Sequence, residues 1–141
     1  MLVDQNGLFV SQRNDPRLAL VRVVLGPDSI QVTARGLAQA LRVPLEASGE
    51  RIRVRHITED ESEAILVDPK ADAWFSSLLG RAVRLVWFPN EFSRRVAAEF
   101  VPEERYTNFN DGFPLLIASQ ASLDALNAKL RSEERRVGKE C

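Results

Sequence analysis

The stretch "RIRVRHIT" at residues 51–58 alternates between apolar and charged side chains. Ile52, Val54 and His56 fall on one face, whereas three arginines fall on the other. Successive side chains of a β-strand point to opposite faces of its sheet, so a period of two indicates a strand with one buried face. This is the clearest strand signal in the chain, and it predicts a fold built mainly from β-structure.

The alternation recurs on the N-terminal side of this stretch. Residues 18–25 and 29–34 both alternate, and the sequence "GPDS" between them has turn chemistry. A β-hairpin is therefore predicted over residues 18–34. The predicted inner face of its first strand consists of Ala19, Val21, Val23 and Leu25.

Two more short strands are predicted on either side of the central one. In "LRVPL" (41–45), Pro44 has no N–H to donate to a ladder, which favours an edge position. The strand "AILV" (64–67) follows the acidic run at 59–63, which is interpreted as a solvated turn. Short strands separated by polar turns are typical of a small barrel or a folded-over antiparallel sheet.

The period changes to that of a helix in "DPKADAWFSSLLG" (68–80). Asp68 is a candidate N-cap, Pro69 suits the first helical position, and Gly80 suits the C-terminal stop. A helix is therefore predicted at about 69–79, with its apolar stripe packed across the sheet.

The C-terminal third is predicted to contain a strand, a long loop and a second helix. "VRLVWFP" (83–89) returns to the strand pattern, and residues 90–108 have no clear period. Long ordered loops in compact domains are often functional. Residues 111–130 predict a turn, a buried strand and a helix at about 120–130 that is capped by Ser119. The predicted inward stripe of this helix is Leu123, Leu126 and Leu130.

The predicted fold class is therefore mainly β (α+β): a small antiparallel barrel-like domain with two helices. The net charge of −1 gives no global field for binding nucleic acid. The apolar runs are too short for a membrane segment, and the expected location is cytoplasmic. One cysteine and one histidine provide no cluster for a zinc site of the usual kind.

Three features could carry chemistry, and each also has a structural interpretation. His56 could be a general base or a metal ligand, but a buried structural histidine is favoured. The acidic run at 59–63 could bind a hard cation, although it lacks the glycine and the spacing of a calcium loop. The arginines of "RIRVR", with Arg94 and Arg95, could hold phosphates, but a solvated or locally ion-paired face is favoured.

Several segments together resemble one known family. They are "LVDQNGLFVSQRNDPRLALVRV" (2–23), "DAWFSSLLGRAVRLVWFP" (72–89) and, above all, "FNDGFPLLIASQASLDALNAKL" (109–130). These segments resemble MOSC-domain proteins, in the branch with an N-terminal MOSC β-barrel that includes the amidoxime-reducing molybdenum enzymes. The resemblance covers nearly all of residues 2–130.

The resemblance implies a function for the full-length parent. In that family the barrel covers one side of a site where molybdenum-molybdopterin is held through a cysteine thiolate. The implied chemistry is reduction of N-hydroxylated small-molecule substrates with electrons from a partner redox protein. Pyridoxal phosphate binding is a further family-level implication. Asp111, Gly112 and Phe113 match the family segment that touches the pterin, although Asp111 could equally form only the turn before a strand.

The chain also departs from the family pattern. The "FRPNI"-like segment expected after the second helix is absent, as is the later metal-ligating cysteine. On this interpretation residues 1–108 are the MOSC N-terminal barrel, Met1 is an internal methionine, and residues 109–130 begin a truncated MOSC domain. Such a fragment is expected to bind no cofactor and to have no catalytic residue. The alternative is a non-catalytic β-barrel binding or interaction module.

The final segment, "RSEERRVGKEC" (131–141), differs from everything before it. It is what results from translating a common short-read sequencing adapter, and it begins where the family resemblance breaks. Residues 131–141 are therefore interpreted as a non-native tail, and Cys141 is not expected to be the family's metal-ligating cysteine. A charged disordered tail is the alternative interpretation.

Overall fold

The computed structural model describes residues 1–56, 60–89, 91–92, 94–110 and 117–130. These residues form short β-strands, one 3-10 helix at Pro16–Leu20 and two α-helices. The strands are β1 (Leu2–Val3), β2 (Val21–Leu25), β3 (Ser29–Ala34), β4 (Leu41–Pro44), β5 (Arg51–Arg55), β6 (Glu61–Leu66), β7 (Arg84–Trp87), β8 (Arg94–Arg95) and β9 (Tyr106–Thr107). The helices are α1 (Pro69–Leu79) and α2 (Gln120–Lys129).

All the strand pairs of the described residues are antiparallel. Their order is β1-β7-β6-β5 in one sheet, β2-β3-β4 in a second, and β8-β9 in a short ribbon. The prediction of a small, mainly β domain with two helices is thus confirmed. Within the described ranges these strands lie in three separate sheets and do not close into one continuous barrel. None of the described helices combines the length and apolar character needed to cross a membrane.

Helix α1 joins the two larger sheets into one packed body. Its N-cap is Asp68, whose carboxylate accepts the Lys70 N–H at 2.7 Å, and its C-cap is Gly80 at φ 60°. The buried face places Phe75 and Leu79 against Val32 of β3 and Val43 of β4. The predicted bounds 69–79 are confirmed. The cap and the first-turn proline mark the start of the helix, and the C-terminal glycine marks its end.

The hairpin β2–β3 is confirmed, but two details of its prediction are wrong. Residues 18–20 belong to the 3-10 helix and not to the strand. In β2 only Val21 packs against the core, whereas Val23 and Leu25 are exposed. The core contacts of this three-stranded sheet come mainly from β3 and β4. The predicted edge position of Pro44 is confirmed.

The acidic run is not only a turn, because β6 already begins at Glu61. Glu61 and Glu63 lie beside the arginines of β5, with Arg53–Glu61 at 3.5 Å and Arg51–Glu63 at 3.9 Å. Opposite charges on adjacent strands stabilise the pairing, which explains why these polar residues extend the strand. The same contacts confirm the interpretation of these arginines as a locally paired face. Glu59, the first residue of the run, lies outside the described residues.

Helix α2 begins at the predicted cap but is not packed as predicted. The Ser119 hydroxyl accepts the Ser122 N–H at 3.1 Å. No residue of α2 is fully buried: Leu123 and Leu130 are half-buried and Leu126 is 54% exposed, so the prediction of an inward stripe is wrong at Leu126. Helical spacing shows which face could be buried, but not what covers it. The strand predicted before α2 lies mostly outside the described residues.

Candidate functional site

The sequence-predicted cofactor contacts, Asp111, Gly112 and Phe113, lie outside the described residues. The structure does describe residues 108–110, which lead directly into them from β9. These three residues are held by polar and aromatic contacts beside the end of β5, the start of β6 and the end of β7. The candidate site is therefore defined by the side chains that contact residues 108–110.

Arg94 of β8 makes the polar contacts to this segment. Its Nη1 donates to the carbonyl of Asn110 at 2.5 Å and to that of Asn108 at 3.4 Å, and its Nη2 donates to Asp60 Oδ2 at 2.9 Å. The planar guanidinium can bind several acceptors at once in a fixed geometry. One side chain thus connects the segment at 108–110 to the start of β6.

The burial of Arg94 makes these contacts important. Its side chain is 10% exposed, while the side chain of Asp60 is 59% exposed. A charge removed from water in this way needs a counter-charge and hydrogen-bond acceptors. Asp60 is itself positioned by the backbone, since its carbonyl accepts the His56 N–H at 2.8 Å. The ion pair is therefore tied to the end of β5 as well.

Phe109 makes the apolar contacts to the same segment. Its ring packs edge-on against Phe88 with the centroids 5.1 Å apart, and lies 5.7 Å from the ring of His56. It also contacts the buried cluster that contains Val54 and Val86. Such aromatic pairs stabilise a packing arrangement beyond simple area burial. Arg94 thus binds the backbone of residues 108–110, and aromatic rings pack against the side chain of Phe109.

His56 is buried beneath Phe109. Its Nε2 lies 2.7 Å from the Ser62 hydroxyl, which agrees with a structural histidine. We name the set His56, Asp60, Ser62, Arg94 and Phe109 the rim cluster. It combines one ion pair, one imidazole–hydroxyl pair and one aromatic contact at the end of β5 and β6. Chemically, this arrangement fixes the chain segment leading to Asp111.

A cleft of about 860 Å³ opens beside the rim cluster. Phe88, Phe92 and Phe100 provide its apolar part, and Arg94 and Arg95 provide positive charge. Carboxylates outnumber the two arginines. They are those of Asp60, Glu61, Glu63, Glu91 and Glu99.

The described residues do not fit a molybdenum cofactor as its holder. No group of three or more His, Cys, Asp or Glu side chains is arranged for a metal ion in the part of the chain that the structure describes. Cys141, the single cysteine, lies outside that part. Three of the five carboxylates in the described lining are ion-paired with Arg94, Arg53 and Arg51, so this lining has no excess of positive charge for the phosphate of a pterin cofactor. None of the described residues is therefore assigned to the metal.

Two carboxyl groups near α1 have shifted pKa values. Hydrogen bonds from Arg17 hold the pKa of Asp15 below its usual range, against a smaller opposing effect of burial. Burial raises the pKa of Asp72, although its carboxylate accepts the Leu85 N–H at 2.7 Å. Asp72 links α1 to β7, Asp15 links the 3-10 helix to Arg81 after α1, and neither carboxyl lies in the rim cluster.

The family model of the MOSC N-terminal beta barrel domain matches residues 1–82, more than half of the chain. The chain belongs to this family. The match covers β1 to β6 and α1, which contribute most of the buried core residues. The resemblance seen in the sequence is confirmed over this region.

Curated relatives of the MOSC N-terminal barrel extend the similarity further. The mitochondrial amidoxime reducing component 2 of Rattus norvegicus is 29% identical over 140 residues, covering 94% of this chain and 41% of the relative. The human mitochondrial amidoxime-reducing component 1 is 28% identical over 141 residues with the same coverage. The molybdenum cofactor sulfurase of Danio rerio is 30% identical over 100 residues, covering 67% of this chain and 12% of the relative. The chain thus spans less than half the length of these relatives.

One solved structure has a similar fold. It is the solution structure of the protein encoded by a gene locus of Bordetella bronchiseptica, with a TM-score of 0.50 and 24% identity. The similarity covers 60% of this chain and 67% of that one. It supports the arrangement of strands and helices of the MOSC N-terminal barrel.

The sequence did not reveal the rim cluster. In the sequence, Arg94 is one of a pair of adjacent arginines and Phe109 is the first residue of a motif, and neither feature indicates their contacts. The available signal was the long aperiodic excursion at 90–108, which marks a loop of interest but not its contacts. The pairing of Arg94 with Asp60 joins residues 34 positions apart, which no local pattern encodes.

Proposed function

We propose that this chain is the N-terminal barrel of a molybdenum-cofactor oxidoreductase and presents residues 111–113 to the cofactor. The observation that carries the proposal is that Arg94 binds the carbonyls of Asn108 and Asn110 while Phe109 packs against Phe88. A segment held by a rigid scaffold is suited to precise contact with a cofactor. Relatives named as amidoxime-reducing components and as molybdenum cofactor sulfurase support this assignment.

In this proposal the chain provides one wall of the site. Asp111, Gly112 and Phe113 contact the pterin, through a carboxylate and the backbone amides of a turn. The molybdenum itself is held by a thiolate that none of the described residues supplies. Reduction of N-hydroxylated substrates, a redox partner protein as electron donor and a cytoplasmic location belong to the same proposal. Pyridoxal phosphate binding, a family-level implication, has no support from the contacts described.

The test is a chimera in which residues 1–130 replace the aligned segment of the rat amidoxime-reducing relative. We expect the chimera to retain molybdenum, measured by mass spectrometry of the metal, and to reduce an amidoxime. The 141-residue chain alone is expected to hold no stoichiometric molybdenum, because its cysteine, Cys141, is not expected to be the metal-ligating one. Asp111→Ala in the chimera is expected to lower the molybdenum content several-fold.

Asp124→Ala is the matched control, because Asp124 is an exposed carboxylate on α2 whose hydrogen-bond partner among the described residues is Gln120. This variant should keep the molybdenum content of the unsubstituted chimera. An unchanged molybdenum content in the Asp111→Ala chimera would contradict a cofactor role for this segment. Stoichiometric molybdenum in the 141-residue chain would contradict the assignment of the thiolate to another part of the protein.

The second candidate function is a binding module with no redox role. The observation that favours it is the exposed apolar edge of β2, where Val23, Val24 and Leu25 face solvent. A folded chimera without molybdenum, in which the barrel is intact by circular dichroism, would favour this candidate over the first.

A further inference from the structure

We infer that the outer edge of β2 is a self-association surface, at which a second copy of this chain adds its own β2 in the antiparallel direction. The two three-stranded sheets then form one continuous sheet around a two-fold axis. Edge strands offer unpaired backbone groups to an added strand in this way. The surface shares no residue with the rim cluster, and it does not depend on the proposed cofactor role.

Three consecutive apolar residues of β2 are exposed. The exposed fractions are 57% for Val23, 64% for Val24 and 74% for Leu25. Successive residues of a strand point to opposite faces, so this run exposes apolar surface on both faces of the sheet. Val23 lies opposite the buried Val32, on the face that packs against α1, so the core face continues to an uncovered edge. Natural edge strands often carry charges or proline that block further pairing, and residues 23–25 contain neither.

The hydrogen bonds of the β2–β3 hairpin show which backbone groups this edge offers. The Gly26 N–H donates to the Ser29 carbonyl at 2.8 Å. Hydrogen-bonded and non-hydrogen-bonded pairs alternate along an antiparallel ladder, so the N–H and C=O groups of Val23 and Leu25 point away from β3. In the part of the chain that the structure describes, these groups have no partner.

One register of a β2–β2 pair satisfies all of these groups. In this register Val24 of one copy faces Val24 of the other across the two-fold axis. Val23 of each copy then forms a hydrogen-bonded pair with Leu25 of the other, in which each residue donates its N–H and accepts with its carbonyl. Apolar side chains also face apolar side chains on both faces of the joined sheet. The strand is therefore complementary to itself.

The ends of the strand fit the same register. It places Val21 of one copy opposite Pro27 of the other. The Val21 N–H already donates to the Leu18 carbonyl, and Pro27 has no N–H. Neither residue therefore brings a donor that the pair would leave without an acceptor.

Side-chain charges favour this register as well. Arg22 is exposed on the same face as Val24 and has no ion-pair partner among the described residues. In the pair it faces Gly26 of the other copy, next to the turn that contains Asp28. The Asp28 side chain is 70% exposed in its ion pair with Arg42, and a carboxylate can accept from a second arginine. A pair centred on Arg22 would instead place two like charges opposite each other, which is destabilising.

The size of the surface determines the strength expected of the dimer. Each copy contributes one strand of five residues, Val21–Leu25, and the turn that follows it. Interfaces of this kind lie at the low end of the sizes found in protein complexes and are usually transient. Dimerisation should therefore depend on the protein concentration.

The first measurement is sedimentation velocity of the 141-residue chain over a range of concentrations. We expect the average mass to rise towards that of a dimer and no further. Val24→Lys places two like charges opposite each other at the axis and should keep the chain monomeric. Leu45→Lys is the matched control, because Leu45 is an exposed apolar residue that follows β4 on the other side of the same sheet. This control should dimerise like the unsubstituted chain.

Cysteine cross-linking tests the register, in a chain whose own cysteine is replaced (Cys141→Ser). Val24→Cys places two thiols in a directly opposed, non-hydrogen-bonded pair, in which the Cα atoms are about 4.5 Å apart and a disulfide can form. Val23→Cys is the control. The Cα atoms of Val23 in the two copies would be about 8 Å apart, two residues along and one strand across, which is too far for a disulfide. We expect mild oxidation to cross-link Val24→Cys several-fold faster than Val23→Cys.

Four results would overturn the inference. The first is a monomer at every concentration, and the second is a dimer that persists in Val24→Lys. The third is faster cross-linking of Val23→Cys, because it would place the axis elsewhere. The fourth is a monomer whose melting temperature falls in Val24→Lys, since another part of the same chain would then cover the edge. The metal content of the chimera affects none of these results, so the proposed function can fail independently.

Discussion

Helices α1 and α2 have almost the same length and the same kind of beginning, yet they differ completely in packing. Each starts at a side chain that caps its first turn, Asp68 in α1 and Ser119 in α2. Helix α1 buries three residues in the core, and Leu79 is 1% exposed. Helix α2 buries none. The comparison shows that capping determines where a helix begins, whereas its contribution to stability depends on what covers its apolar face.

The largest expected effect comes from removing one apolar side chain from each helix. Phe75→Ala should lower the free energy of unfolding by about 3–5 kcal/mol, because it leaves a cavity between α1 and the sheets. Leu126→Ala should change it by less than about 0.5 kcal/mol, as expected for an exposed position. Urea denaturation followed by circular dichroism measures both values. Equal losses in the two variants would mean that α2 is packed in solution.

The caps provide a sharper version of the same comparison. Asp68→Ala should lower the global stability by about 1 kcal/mol, since α1 unfolds together with the core. Ser119→Ala removes an equivalent hydrogen bond, but it should reduce only the helicity of α2, read from backbone chemical shifts, without moving the melting temperature. Asp68→Asn is the control, because asparagine caps about as well as aspartate. A lower melting temperature in Ser119→Ala would show that α2 unfolds with the barrel.

This difference also explains which predictions from sequence were right. The bounds of α1 follow from local chemistry at Asp68, Pro69 and Gly80, and the strand β5 follows from its alternation. Both kinds of signal lie within a few neighbouring residues, and they act at the level of the backbone. The two helix starts and the strands β2 to β7 were accordingly predicted, whereas β8 and β9 lie in the stretch 90–108, for which no strand was predicted.

The errors concern surfaces, because a pattern shows which face is apolar but not what covers it. The inner face of β2 was predicted to be buried, but Val23 and Leu25 are exposed at a sheet edge. For the same reason, the leucine stripe of α2 was predicted to be buried, but none of its residues is fully buried. The extension of β6 to Glu61 was missed because it depends on charges supplied by β5. The rim cluster depends in the same way on distant partners, so no local pattern reveals it, whereas the family resemblance points to the neighbouring residues 111–113.

The smallest expected effect concerns the pH dependence at the end of α1. The Asp15 carboxylate binds Arg17 at 2.9 Å and Arg81, which follows α1, at 3.6 Å. The Arg17 hydrogen bonds lower the pKa of Asp15 in the folded state, so the unfolded state takes up the proton first as the pH falls. The stabilisation is therefore present above the unfolded pKa of about 3.9 and is lost as the pH falls below it.

Asp15→Asn should consequently be less stable than the unsubstituted protein at neutral pH, and the difference should shrink as the pH falls below about 4. Melting temperatures measured between neutral and acid pH give the two curves. Asp124→Asn on α2 is the control and should leave the acid dependence unchanged, since its carboxylate has an uncharged partner on an unburied helix. A carboxylate that binds two arginines only in the folded state must make the stability depend on its own protonation. Parallel curves for Asp15→Asn and the unsubstituted protein would therefore show that Asp15 does not link the end of α1 to the core.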